Sequence, residues 1–218
     1  MGPTVVVDLT LSPEQQWHHV RADHRREISK ARRAGIQCVR DESGCYFDDF
    51  IDIYYQTMQR VGATDGYFFD RQYFYRLREV LGDRLHLFVA LKDDAVTAGS
   101  LFTNCNSIIQ YHLSGTHDDY LNVAPSKFIL DGVRQWGSAV GASALHLGGG
   151  VGAQEDSLFR FKAGFSRLTR RFKVWRMMSN VERYTALVEQ RRRWSADNGY
   201  AAPNEHFFPT YRCPVVAK

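Results

Sequence analysis

Cysteine is scarce and scattered. The four, Cys38, Cys45, Cys105 and Cys213, form no CxxC pair, so neither a metal ligand set nor a disulfide framework is expected, and a reducing compartment suits the chain. No N-terminal run has the layout of a signal peptide, and no apolar stretch approaches the roughly 20 residues that a membrane-spanning helix needs. A cytoplasmic protein without a membrane span is expected. There is no G-x-x-x-x-G-K-[ST] loop for ATP, no internal repeat and no low-complexity tract. What remains is ordinary globular material: 218 residues, 44% hydrophobic and 24% charged, enough for one good core.

The formal net charge is only +4, but the basic residues gather in three places: "RADHRREISKARR" at 21–33, "RFKAGFSRLTRRFKVWR" at 160–176 and "RRR" at 191–193. Each cluster alone reads as a solvated helix face. Three together point to a phosphate-bearing partner.

Periodicity orders the chain. "TVVVDL" (4–9) is a strand, and Ser12 before Pro13 opens a helix that runs to Ala34 and stops at Gly35. On that helix Trp17, Val20, His24, Ile28 and Ala31 share one face, while Arg21, Arg25 and Arg32 flank it. Residues 1–35 are thus an N-terminal strand and a basic amphipathic helix ahead of a domain at 36–218. In that domain "IQCVR" is a strand, and Phe47, Phe50, Ile51, Tyr54 and Met58 mark a helix ending near Gly62. A second helix covers 70–81. Three strands follow, "LHLFVAL", "AVTAGSLFT" and "SIIQYHLS", able to form a meander. A helix at 124–140, the strand "ALHL", a glycine turn, a short helix, the strand "LTRRFKVWR" and a helix at 180–196 complete the order. The predicted class is α/β, a mixed and mostly antiparallel sheet flanked by helices.

The stretch "LHLGGGVGAQEDSLFRFKAGFS" (145–166) carries the chemistry. Gly148, Gly150 and Ala153 satisfy G-x-G-x-x-G/A, but the motif comes late, its helix is short, and "LTRRFKVWR" has no acid to hold a ribose, which argues against a dinucleotide site. Glycines that merely bend the backbone after the strand explain the turn, though not the lysine beyond it. With Asp156 or Ser157 as cap and Gly164 as terminator, a helix at 157–163 sets Leu158, Phe161 and Phe165 on one face. Lys162 then projects roughly 40° from Leu158, at 100° per residue, and Arg160 points away. A lysine beside apolar walls either snorkels outward or offers a desolvated ammonium to a phosphate or an oxyanion.

"LGGG…EDSLFRFKAGFS" resembles the signature of the FemAB/FemX-like peptidyltransferases, an aminoacyl-tRNA-dependent branch of the GNAT acyltransferase fold. "HRREISKARRAGI", "IYYQTMQRVGATDGYFF", "YHLSGTHDDY" and "FFPTYR" follow it in the right order, so the likeness covers about 25–212. It implies a single GNAT-like domain in which Lys162 lies near the reacting carbonyl or the acceptor's phosphates and Tyr111 lines the acyl cleft. Arg25, Arg60, Tyr67 and Phe161 are the candidate substrate-binding residues; His112 reads first as a core or surface histidine and second as a base. Fem-type enzymes commonly contain two such domains, and this chain has room for one.

The expected co-substrate is aminoacyl-tRNA, with a small amine or peptide as acceptor and no metal or other cofactor. Coenzyme A users of this fold carry Q/R-x-x-G-x-G/A after the fourth strand, where backbone N–H groups hold the pyrophosphate. Here "THDDYLNVAPSKFIL" has two acids and no glycine, a poor anion nest. Two alternatives remain: an N-acyltransferase using acetyl-CoA or another acyl-CoA, and a non-catalytic tRNA-binding module.

Overall fold

The computed structural model describes residues 2–217. The chain divides into two compact units at Phe172/Lys173. The first holds a seven-stranded sheet in the order β2-β3-β4-β5-β6-β1-β7. Its strands are β1 (Pro3–Asp8), β2 (Gln37–Arg40), β3 (Leu85–Lys92), β4 (Ala95–Cys105), β5 (Ile108–Thr116), β6 (Ala144–Gly148) and β7 (Thr169–Arg171). Every pairing is antiparallel except β5 with β6, so the mixed, mostly antiparallel sheet predicted from the sequence is observed. Six helices belong to this unit: α1 (Pro13–His19), α2 (Ala22–Arg33), α3 (Phe47–Arg60), α4 (Arg71–Leu81), α5 (Pro125–Ala139) and α6 (Ser157–Ala163).

Alternation along the strands builds two cores, one per face. Phe88, Ala90, Ala98, Phe102 and Ile109 join Ile28 of α2 and Ile129, Leu130 and Val133 of α5. Leu87, Val89 and Leu101 meet Phe50, Ile51 and Tyr54 of α3 and Phe74 of α4 on the other side. The central strands are therefore buried on both faces, β3 through an apolar run and β4 with the small polar residues Thr97 and Ser100 buried among its apolar ones.

Two sequence expectations need correction. The helix expected from Ser12 to Ala34 is two helices, because Val20 and Arg21 are extended (ψ 128 and 145). Neither glycine nor proline marks that break; tertiary contact makes it, with Val20 buried and the Arg21 N–H donating to the Gly164 carbonyl at 2.8 Å. The strand "LTRRFKVWR" shortens to Thr169–Arg171. Its pairing with β1 covers three residues, Thr169 to Arg171 against Val5 to Pro3.

In the second unit Asn180 caps α7 (Val181–Asp197) through the Arg183 N–H at 2.8 Å. The Tyr184 hydroxyl donates to Thr210 Oγ1 at 3.0 Å. This ties the helix to the turn Thr210–Arg212.

Candidate functional site

The sheet forks where β5 and β6 run parallel. They pair over three positions, Ile108 with Ala144, Ile109 with Leu145 and Gln110 with His146, although β5 continues to Thr116. Tyr111 is the first β5 residue past the pairing. A bulge in the β4–β5 ladder follows at once: Phe102 opposes Tyr111 but Leu101 opposes Leu113, leaving His112 as the extra residue. Such a residue drops out of the ladder and bends its strand, and here it does so at the mouth of the fork.

Tyr111 lies on the α2/α5 face, stacked on Phe102 with centroids 5.3 Å apart. Burial pushes its phenol up, while the Ser114 and Ser100 hydroxyls beside it pull the other way. Those serines are bonded to each other at 2.9 Å. His112 faces away, with Nε2 3.3 Å from the Tyr73 hydroxyl of α4, a surface contact that accords with its first sequence reading.

Across the fork, β6 ends at Gly148, whose φ of +80° suits glycine. Asp156 then starts α6: one carboxylate oxygen accepts from the Phe159 N–H at 2.8 Å and the other from the Val151 N–H at 3.0 Å. Both backbone bonds hold that carboxyl below its usual range. Gly164 ends the helix. Cap, span and terminator match the sequence reading, but the buried face does not. Leu158 is exposed, and Phe159 and Lys162, three apart, are buried instead; Phe165 is buried too, yet it lies beyond the helix end, so its spacing from Leu158 carries no helical phase.

Lys162 is 8% exposed. Its Nζ donates to the Gly149 carbonyl at 2.7 Å and lies 5.8 Å from the centre of the Tyr111 ring. No carboxylate forms a salt bridge with it among the described residues. Burial lowers its pKa from 10.5 to about 8, with Asp156 opposing weakly. An ammonium has three donors; one is spent on Gly149, and the others remain for a ligand. The structure thus brings two of the sequence candidates, Lys162 and Tyr111, together at the fork.

The other candidates are engaged elsewhere. Arg25 donates from Nη1 to the carbonyls of Trp17, His18 and Val20 at 3.3, 3.3 and 2.8 Å, closing the end of α1. Arg60 bonds the Thr116 carbonyl at 3.0 Å and pairs with Asp118. Tyr67 is exposed, and its carbonyl accepts from the Tyr54 hydroxyl at 2.7 Å. The Phe161 ring packs between His24, Phe165 and the Lys127 ammonium. Sequence reasoning passed over His24 as one more member of an apolar face, and the hydroxyls of Ser100 and Ser114 gave no spacing signal. A surface groove of about 390 Å³ on the α3 side carries Asp49, Asp52 and Asp94 and is separate from the fork. Among the described residues no group of three or more His, Cys, Asp or Glu is placed to hold a metal, and no helix is long and apolar enough to cross a membrane.

A family model described as an acetyltransferase (GNAT) domain matches residues 18–163. No curated protein matches the chain. Among solved structures, FemX superposes with a TM-score of 0.65 at 14% identity, covering 75% of this chain and 58% of its own. L-PGS from Bacillus licheniformis gives 0.52 at 15%, covering 75% and 56%. AAC(6')-Iy, solved with a coenzyme A bisubstrate analogue, gives 0.50 at 12%, covering 66% and 98%. The chain therefore spans little more than half the length of the FemX and L-PGS chains. FemX among the neighbours agrees with the FemAB-like resemblance read from the sequence.

Proposed function

Because the chain belongs to the GNAT acetyltransferase-domain family, whose fold supports acyl transfer in general, we propose that it forms an amide at the β5–β6 fork by moving an aminoacyl group from aminoacyl-tRNA to an acceptor amine. The observation that carries this reading is Lys162, a buried ammonium bonded to one carbonyl and, among the described residues, to no carboxylate. An ammonium kept in that state stabilises negative charge that develops on a reacting carbonyl far better than one in water.

In the step itself, the acceptor nitrogen attacks the ester carbonyl and a C–N bond forms. The carbonyl oxygen becomes an oxyanion, bonded by Lys162. Collapse breaks the C–O bond to the tRNA, and the proton lost by nitrogen ends on the departing 3′ oxygen. An aminoacyl ester needs no further activation, so most of the work is positioning. Tyr111 walls the fork and fixes the acyl group, and the exposed basic residues of α2 and α6 receive the phosphates. Incubation with a pool of radiolabelled aminoacyl-tRNAs and candidate amines tests this. Amine-dependent transfer that falls about 10²-fold in Lys162→Met supports it; transfer unchanged by that substitution removes Lys162 from the chemistry.

One observation favours an acyl-CoA donor instead. The N-terminus of α5 carries no side-chain cap, its cap residue being Ala124 in a left-handed conformation, and the positive end of a helix suits a pyrophosphate, although Pro125 has no N–H and the Lys127 N–H is bonded to the Ala124 carbonyl at 3.1 Å. Asp118 and Asp119 in the preceding turn oppose that charge. Calorimetry with acetyl-CoA separates the two, micromolar binding favouring the acyl-CoA donor.

A further inference from the structure

α6 has seven residues. Helices this short are marginal by themselves, so their depth and register are imposed from outside. Asp156 holds the first turn. The last turn, which contains Lys162, is held by α2. His24, 1% exposed, donates from Nε2 to the Phe161 carbonyl at 2.9 Å. Its ring stands edge-on to Phe165 with centroids 5.0 Å apart and fills the space over Gly164, where a Cβ would collide with the imidazole. Three residues earlier, the Arg21 N–H binds the Gly164 carbonyl. Lys162 lies in sequence between those two bonded carbonyls, and its side chain crosses to Gly149 on the far side.

Taking Lys162 as the group that meets the oxyanion, we propose that His24 is its positioning residue: by holding the Phe161 carbonyl, it sets how deeply the ammonium sits in the fork. The residue type follows from the geometry. Leucine fills the volume but donates nothing, and glutamine donates an N–H at similar reach without the ring. Without the donor, the last turn of α6 loses an external partner and frays, water reaches the ammonium, and its desolvation is relieved. Around His24 stand the Asp23 carboxylate, 3.6 Å from Nδ1, and the cations of Arg21 and of Lys127 on α5. Around Lys162 stand Asp156, His146 of β6 and the Tyr111 ring.

The test reads Lys162 without any substrate. The whole chain is treated with an amine-acylating reagent across a pH series, and modification of Lys162 is followed by peptide mass spectrometry in wild type, His24→Leu and His24→Gln. Wild type titrates near pH 8. His24→Leu moves the midpoint up by about one unit or more, and His24→Gln restores it to near the wild-type value. A folded His24→Leu protein with an unchanged midpoint overturns the proposal, as does an equal shift in both variants, which assigns the effect to packing. If His24→Leu fails to fold, Gly164→Ala, which displaces the ring from its other side, is measured the same way, and the same upward shift is required. Expected midpoints in a protein that transfers no aminoacyl group leave the positioning role standing and defeat the transfer reading alone.

Discussion

Lys162→Met exchanges a buried ammonium for a buried thioether of similar length, and the structure sets both the sign and the size of the result. Burial lowers the lysine from 10.5 to about 8. At 1.36 kcal/mol per unit, that is about 3 kcal/mol of folding free energy withheld from the protonated form. Set against it is the bond to Gly149, worth about 1 kcal/mol net, and a contact with the Tyr111 face that, at 5.8 Å from the ring centre, lies near the limit of such interactions and is worth up to about 1 kcal/mol. Between pH 8 and 10.5 the folded state binds fewer protons here than the unfolded state, so wild-type stability rises with pH through that window. Below it the full penalty applies. At pH 7 the variant is therefore more stable by about 1–2 kcal/mol, a rise of roughly 2–8 °C in Tm; above about pH 8 the gain falls by about 1.36 kcal/mol per pH unit, vanishes between about pH 9 and 10, and reverses beyond. Urea unfolding of both proteins at pH 7 and pH 10 measures this. A variant less stable than wild type at pH 7, or a gain that ignores pH, refutes the account of a desolvated ammonium.

Three further outcomes follow. His24, His86 and His146 all have pKa values lowered chiefly by burial; their neutral forms add stability that is complete above about pH 6.5 and is lost as pH falls below it. Urea midpoints taken from pH 7 to pH 5 should drop, and less steeply in His24→Gln. Gly148→Ala forces a side chain onto φ +80° and 3.4 Å from Lys162 Nζ; a cost of about 1–2 kcal/mol is expected in thermal unfolding. Ser12→Ala removes the capping box with Gln15 at α1 and should cost about 1 kcal/mol, with transfer activity unchanged.

What could be read in advance was whatever local chemistry dictates. Ser12 with Pro13, Asp156 and Gly164 announced their helix ends because capping is settled within three or four residues. "LHLFVAL" and "AVTAGSLFT" were legible as the strands β3 and β4, but not the burial of both their faces, which needs α3 and α5 to be in place. The break at Val20–Arg21 was hidden because its cause, the Gly164 carbonyl, lies more than 140 residues away. Leu158 misled for a related reason: its spacing to Phe161 and Phe165 is helical, but the helix stops before Phe165, and Phe159 takes the inner position. Arg25 and Arg60 are basic residues in suggestive segments, yet only coordinates show them spent on the carbonyls of Val20 and Thr116. His24 gave no signal, since a histidine on an apolar stripe reads as filler until the carbonyl it binds is known.

The electrostatics of the fork bear on what it is built to meet. Among the described residues Asp156 is the one acid whose field reaches Lys162, and both of its oxygens are committed to backbone N–H groups. Negative charge is thus near enough to favour the ammonium but not free to neutralise it. A buried cation without a committed counter-ion destabilises its fold, and a chain selected for stability alone would carry an apolar residue there. Under the proposed transfer, the missing half of the pair would be supplied from outside, transiently, by an oxygen whose charge exists during reaction and not before. A stable phosphate or carboxylate analogue seated in the fork should raise the Lys162 midpoint above 8, and neutral analogues of the same shape should leave it where it is.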